Sequence, residues 1–546
     1  MKYTKLFVLL MTILLSSTLI PTINPEGSRF QINLQSLMTF SQPNIDIHQS
    51  AWQKNGIPIC NADGHQGWYQ GGLAKLCSDG SGGAIIVWGD YRNPNYEVYS
   101  QRVNASGYPM WAANGTVIAN ASPNGDSDPE IISDDSGGAI IVWEYYTGTF
   151  DIYAQRINST GDKKWGTNGI VVSNANISQW NQKLCTDGNG GAIITWQDDR
   201  DYPLNAHDIY AQRIDENGSA KWTPNGTIIC NAIYGGSHEN PQICSDGAGG
   251  AIITWMDNRT SPTDWNIYAQ KINSSGLTEW TPNGTIICNA INTQSGVVIT
   301  SDGAGGAIIA WGDDRFGNIQ IFAQRINSSG QTEWTANGTV ISPFNCNNGG
   351  VDICSDDVGG AIMAWRDNRG DSWGDIYGQR VNSSGYAQWG ANGIGICTAV
   401  DNQYLFKVCS DDNGGAFIVW RDKRSGNLLN YDIYAQHVNS SGNMRWTPNG
   451  AGICVEGSDQ DLAYVCATTI GEAIFAWIDK RNYATTQWDL YIESSTNIQE
   501  EEEGMDLILL LLAMGMPQPG ILDVLLNPYI LGGISLVVII LIVIIA

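Results

Sequence analysis

Hydrophobic stretches recur along the chain at a fixed interval, each introduced by a glycine-rich polar turn. Ala251-Ile-Ile-Thr-Trp255 is apolar at nearly every position and follows Asp246-Gly-Ala-Gly-Gly250. A run without polar alternation predicts a strand buried on both faces. Before the turn lies a shorter candidate strand, Pro241-Gln-Ile-Cys-Ser245. After a loop of variable length comes Asn266-Ile-Tyr-Ala-Gln-Lys-Ile-Asn273. A fourth begins near Trp280 and continues past Asn283-Gly284 to Cys288. We call these strands a, b, c and d; the glycines between them supply the positive φ that hairpin turns need.

The unit is repeated eight times. One tryptophan recurs as Trp88, Trp143, Trp196, Trp255, Trp311, Trp365, Trp420 and Trp477. A second series runs from Trp52 to Trp446, and a third from Tyr99 to Tyr491 with Phe322 among its members. Their spacing, about 55 residues, is in the range of four-stranded propeller blades. The ends settle the topology. A lone strand d, residues 52–60, precedes the first copy, and the last copy stops after strand c at Tyr491. Inserting the spare strand into the unfinished sheet removes both free edges. The prediction is an all-β, eight-bladed β-propeller of four-stranded antiparallel blades, closed by the N-terminal strand and covering residues 46–495.

Runs such as Asp151-Ile-Tyr-Ala-Gln-Arg-Ile-Asn158, Ser245-Asp-Gly-Ala-Gly-Gly-Ala-Ile-Ile253 and Trp222-Thr-Pro-Asn-Gly226 resemble a repeat of secreted and cell-surface prokaryotic propeller proteins, mostly of unknown function. The resemblance implies the architecture and no particular activity, because propellers host many functions.

Outside the repeats the pattern changes. Residues 1–20 open with Lys2 and Lys5 and continue as a short apolar run, the form of a secretory signal. A leader, 21–45, separates it from the first strand. Residues 496–528 form an acidic and then apolar tether, and residues 529–546 carry no charge. Eighteen helical residues span roughly 27 Å, so this last segment is expected to be a transmembrane helix. The body is expected outside the cell, anchored at its surface.

The 546 residues carry a net charge of −26, which disfavours nucleic acid as a partner. No HExxH, P-loop, dinucleotide or nucleophile-elbow motif is present, and the five histidines show no metal spacing, so neither a cofactor nor a metal is expected. Seven copies end strand b with Trp-x-Asp-x-Arg, among them Asp198/Arg200, Asp257/Arg259 and Asp313/Arg315; the second copy has Glu144-Tyr145-Tyr146 instead. A pair reproduced in nearly every blade reads as a structural ion pair rather than as acid–base machinery. The Ser-Asp-Gly-x-Gly-Gly turns offer too few oxygen ligands for calcium.

Cysteines fill two repeat positions together: Cys60/Cys77, Cys230/Cys244, Cys397/Cys409 and Cys454/Cys466, with Cys346/Cys354 as a shifted pair. Their co-occurrence suggests disulfides, which an extracytoplasmic setting permits. Cys185 and Cys288 have no such partner, and cysteine also serves as a small core residue. Sequons at Asn104, Asn158, Asn273 and similar turns make the chain a candidate glycoprotein.

Strand alternation puts the short a–b and c–d turns on one face and the variable b–c and d–a loops on the other. Recognition needs asymmetry, so the variable, outward face is the expected binding surface. Sixteen of twenty-one tryptophans belong to the framework; the other five fall on that face. Candidate ligand-binding residues are therefore Trp68, Tyr69, Tyr145, Tyr146, Trp180, His207, Trp265, Trp373 and Trp488. Those just before strand c, such as His207, Trp265 and Trp488, have packing as a rival role. The leading expectation is an adhesion or ligand-binding module for glycans or surface proteins. The alternatives are a glycosidase or lyase with two carboxylates converging near the central opening, or a structural coat component.

Overall fold

A computed structural model describes residues 51–498, apart from 67–73, 94–95, 120–124, 203–206, 232–235, 347–349, 371–373, 426–429, 470 and 483–487. The expected signal, leader and membrane helix lie outside the described residues. So do Trp68, Tyr69 and Trp373. Among the described residues there is no α-helix, and no helix is long and apolar enough to cross a membrane.

Among the described residues, thirty-two strands form eight four-stranded antiparallel sheets. Blades 1 to 7 span 75–119, 126–173, 179–230, 238–288, 294–342, 351–397 and 403–454. Blade 8 takes strands a to c from 460–494 and its strand d from Ile57–Cys60. The register sets Ile57 opposite Ile492, Pro58 opposite Tyr491 and Cys60 opposite Leu490. The last sheet is thus completed by the first strand.

Apolar residues from neighbouring blades meet in eight buried clusters, one at each junction. At the closing junction Trp52, Ile57, Leu490 and Ile492 of blade 8 pack on Ile86, Trp88 and Tyr99 of blade 1. The strand-b tryptophans, from Trp88 to Trp477, are fully buried. In blade 4 the Asn283-Gly284 turn lets Trp255 lie beneath the chain: a Cβ on Gly284, at φ +100°, would fall 2.6 Å from the indole.

Each Trp-x-Asp-x-Arg unit forms one network. Trp255 Nε1 donates to Asp257 Oδ2 at 2.9 Å, and the Arg259 backbone N–H donates to Oδ1 at 3.0 Å. The Arg259 guanidinium grips both carboxylate oxygens, lies 4.2 Å over the Tyr268 ring and donates to the Asn283 carbonyl at 2.8 Å. Asp198–Arg200 at 2.6 Å and Asp313–Arg315 at 2.5 Å repeat it. A buried carboxylate is tolerable here because the indole, a backbone N–H and the guanidinium all donate to it. In blade 2, Tyr145 takes the aspartate's place and faces Asp126 in register.

The cysteines correct an expectation. All twelve are free thiols, so Cys60/Cys77, Cys230/Cys244, Cys346/Cys354, Cys397/Cys409 and Cys454/Cys466 are not bonded. Strand d is the outer edge of a blade and strand a of the next copy is an inner edge, so closeness in sequence does not become closeness in space. The strand-d thiols instead sit on the neighbouring ion pair: Arg92 Nη2 donates to Cys60 Sγ at 3.1 Å and Arg424 to Cys397 at 3.0 Å. The strand-a thiols of adjacent blades lie in succession, but rotation about the ring axis points them all the same way. Cys354 packs into the blade 6/7 cluster, Cys409 into 7/8 and Cys466 into 8/1.

Candidate ligand site at the channel mouth

Strand a begins at the variable face and runs along the central channel. Near its start it carries a bulge: in blade 7 Tyr404 pairs with Arg421, and the next pairing is Lys407 with Val419. The residue at the bulge is left-handed in six blades, at Asp128, Asn181, Asn240, Gly296, Leu405 and Leu462. Aspartate, asparagine and glycine accept that conformation readily; leucine does so at a cost of about 1 kcal/mol or more. The bulge turns the adjoining side chains toward the channel mouth. The residue between Trp and Asp on strand b varies around the ring: Gly89, Glu144, Gln197, Met256, Gly312, Arg366, Arg421 and Ile478.

On the side of blades 6 to 8 these positions enclose a cavity of about 460 Å³, lined by Asp352, Arg366, Tyr404, Leu405, Lys407, Leu462 and Tyr464 among others. The two left-handed leucines both lie in its wall. Arg421 supports the site from behind. Its guanidinium bonds Asp461, donates to the Tyr404 hydroxyl at 2.9 Å and lies 3.6 Å over the Tyr431 ring. Tyr404 and Tyr431 meet edge to face at 5.3 Å. Arg366 lies 5.8 Å over Tyr404 and donates to Asn402. Lys407 stands 3.8 Å from Asp352 and 5.5 Å over Tyr464. The result is an aromatic lining with Arg366 and Lys407 against Asp352, backed by the Arg421–Asp461 pair.

Blade 2 brings acid to the same channel. Glu130 is held by Lys75 at 2.8 Å and by Lys183. Burial alone would raise its pKa, but the two ammonium groups bring it down to about 2. Glu144 behaves oppositely. Burial lifts it to about 7, Asp128 adds to the rise, and a hydrogen bond from the Asn181 N–H at 2.8 Å only partly offsets it. Asp352 chiefly raises the Lys407 pKa, Glu130 adds to the rise and Lys75 opposes it, so these charges share one channel.

The residues expected to bind from sequence are scattered. Trp180 lies within strand a (Gln179–Thr186) rather than in a loop, half-buried at the blade 3 part of the mouth and edge-on to His207 at 5.3 Å. His207 bonds Asp199 at 2.6 Å, which raises its pKa. Trp265 packs against the blade 4/5 core. Trp488 is 2% exposed with Lys480 over its ring at 4.1 Å, so it offers a ligand no surface. Tyr145 packs on Tyr153 and Tyr146 on Phe150. The cavity residues were not singled out by sequence. Two signals pointed to them: arginine at the variable place of Trp-x-Asp in consecutive copies, and leucine where other copies carry Asp, Asn or Gly.

No protein-family model and no curated protein matches the chain. Among solved structures it is similar to a polysaccharide lyase, at 9% identity and a TM-score of 0.41 over 83% of this chain and 95% of that one. It is also similar to a Hadza microbial sialidase, at 12% identity and a TM-score of 0.35 over 65% of this chain and 75% of that one. An endo-arabinase from Bacteroides thetaiotaomicron matches at 11% identity and a TM-score of 0.30 over 50% of this chain and 98% of that one.

Proposed function

We propose that the protein is a carbohydrate-binding propeller that takes an acidic saccharide at its channel mouth. The observation that carries this reading is the composition of the blade 6–8 cavity. A chain with a net charge of −26 places Arg366 and Lys407 beside Tyr404 and Tyr464 in the wall of this cavity, with Arg421 and Tyr431 behind them. Arginine offers paired donors to a carboxylate or sulfate, and tyrosine rings offer an apolar face to a sugar ring. A cleft of one sign within a surface of the other focuses the field on an anion. The signal-like residues 1–20 and the uncharged residues 529–546 support display at a cell surface with the variable face outward.

The full chain, presented to immobilised acidic and neutral saccharides, is expected to retain the carboxylated or sulfated ones and to release them at raised salt. Retention of neutral sugars alone, or of none, overturns the proposal. A second reading, an enzyme acting on the bound saccharide, is favoured by Glu144, which is partly protonated at neutral pH on the opposite side of the channel. It predicts cleavage of a retained saccharide that Glu144→Gln abolishes without loss of binding.

A further inference from the structure

At the start of strand a, one residue per blade closes the inner end of the d–a connection. It is glutamine in five copies, and in blade 5 Gln294 Nε2 donates to the Asn292 carbonyl at 3.1 Å. Blade 4 carries His238 there, fully buried and in register with Asp257. Its Nδ1 lies 2.7 Å from the His207 carbonyl and donates to it, so Nε2 is the nitrogen that can ligate once any proton on it has left. Nε2 has no hydrogen-bond partner, and it points at a carboxylate, 3.6 Å from Asp257 Oδ2. The Cys230 thiol completes the group: the ligand atoms of Cys230, His238 and Asp257 all lie within 4.8 Å of one another, and all three residues are buried.

We infer that Cys230, His238 and Asp257 form a binding site for a transition-metal dication of the zinc type. A sulfur, an imidazole nitrogen and a carboxylate oxygen suit zinc or cobalt and not magnesium or calcium. Bonds of about 2.0–2.3 Å would bring the three ligand atoms to roughly 3.3–3.8 Å from one another, a small contraction. The Nδ1–H bond to a backbone carbonyl is the outer contact that orients a ligating histidine. Charge agrees as well. Arg259 already bonds Asp257 and donates to Cys230 Sγ at 3.0 Å, and Asp208 stands 3.5 Å from the imidazole. Two carboxylates and a thiolate against one guanidinium leave two negative charges, which one dication neutralises. On binding, the ion replaces the thiol proton and any proton on Nε2, and these leave to solvent. In the other blades with this thiol and ion pair, glutamine stands where His238 does, so the nitrogen ligand is missing.

The test is a cobalt titration of the full chain after removal of metals with a chelator. The expected result is one Co²⁺ per chain, with thiolate-to-cobalt charge-transfer absorption and a higher melting temperature than the metal-free chain. His238→Gln introduces the residue that five other copies carry there and so keeps the fold; it should lose the absorption and the melting shift together. Cys230→Ser, the residue found at the matching position as Ser173 and Ser342, should lose the absorption, whereas Cys288→Ser should keep it. No saturable uptake, or absorption that survives His238→Gln, overturns the inference. So does absorption that disappears in Cys288→Ser.

Discussion

Glu493 shows how much one atom matters inside a repeat. Seven copies carry glutamine at its place on strand c, and in blade 4 Gln270 accepts from the Trp280 N–H at 2.9 Å while donating to the Thr281 carbonyl at 2.8 Å. Glu493 is 2% exposed and can accept, as it does from Gly56 N–H at 3.1 Å, but when ionised it cannot donate. Burial raises its pKa from 4.5 to about 7. The folded chain therefore keeps a proton that the unfolded chain has released. Its contribution to stability is present below pH 4.5, falls as pH rises to 7 and is flat above, a change of about 3 kcal/mol at most. Glu493→Gln should raise the melting temperature at pH 8 and barely change it at pH 4.5. Equal melting temperatures at pH 8 would contradict this. The cysteines carry the opposite lesson at this scale. Their joint presence in sequence was visible, but it reflected two separate places, the neighbouring ion pair for Cys60 and the inter-blade core for Cys466, and sequence adjacency could not tell them apart.

At the scale of the element, the bulge in strand a decides what the channel mouth displays. Asn181 and Gly296 fit its left-handed turn, whereas Leu405 and Leu462 stand in it under strain and form the cavity wall. Strain kept at one place in a repeat marks a residue chosen for its surface. Leu405→Asn should leave the fold as stable or up to about 1 kcal/mol more stable in denaturant unfolding, while weakening acidic saccharide binding. A destabilised variant with unchanged binding would contradict the account. The bulge itself was not legible in the sequence. Strand a was read as Pro241–Ser245, and the structure extends it back to His238 because the one extra residue at the bulge hides the pairing of His238 with Asp257. Strands b and c were legible, since Trp255 and Tyr268 recur in fixed register in every copy.

At the scale of the molecule, the ring was readable because its ends are complementary: an unpartnered strand d at one end answers a blade without one at the other. Removing residues 1–60 leaves the edge of Asp489–Ser494 open. The truncated chain should melt lower and self-associate in size-exclusion chromatography, because an open strand edge recruits another. An unchanged midpoint and a monomeric profile would contradict closure. The site was not readable from the whole. Its residues come from three consecutive blades, and a search that took the tryptophans outside the framework with Tyr69, Tyr145 and Tyr146 passed over the arginines and over Tyr404 and Tyr464.

The cationic mouth in an acidic ring is the claim on which the function rests. Calorimetric titration of the full chain with an acidic oligosaccharide, beside the Arg366→Ala/Arg421→Ala variant, tests it most directly. The account predicts saturable binding that weakens as salt rises and that the variant loses by about tenfold or more. Binding of equal strength in both chains, or none in the wild type, would contradict it.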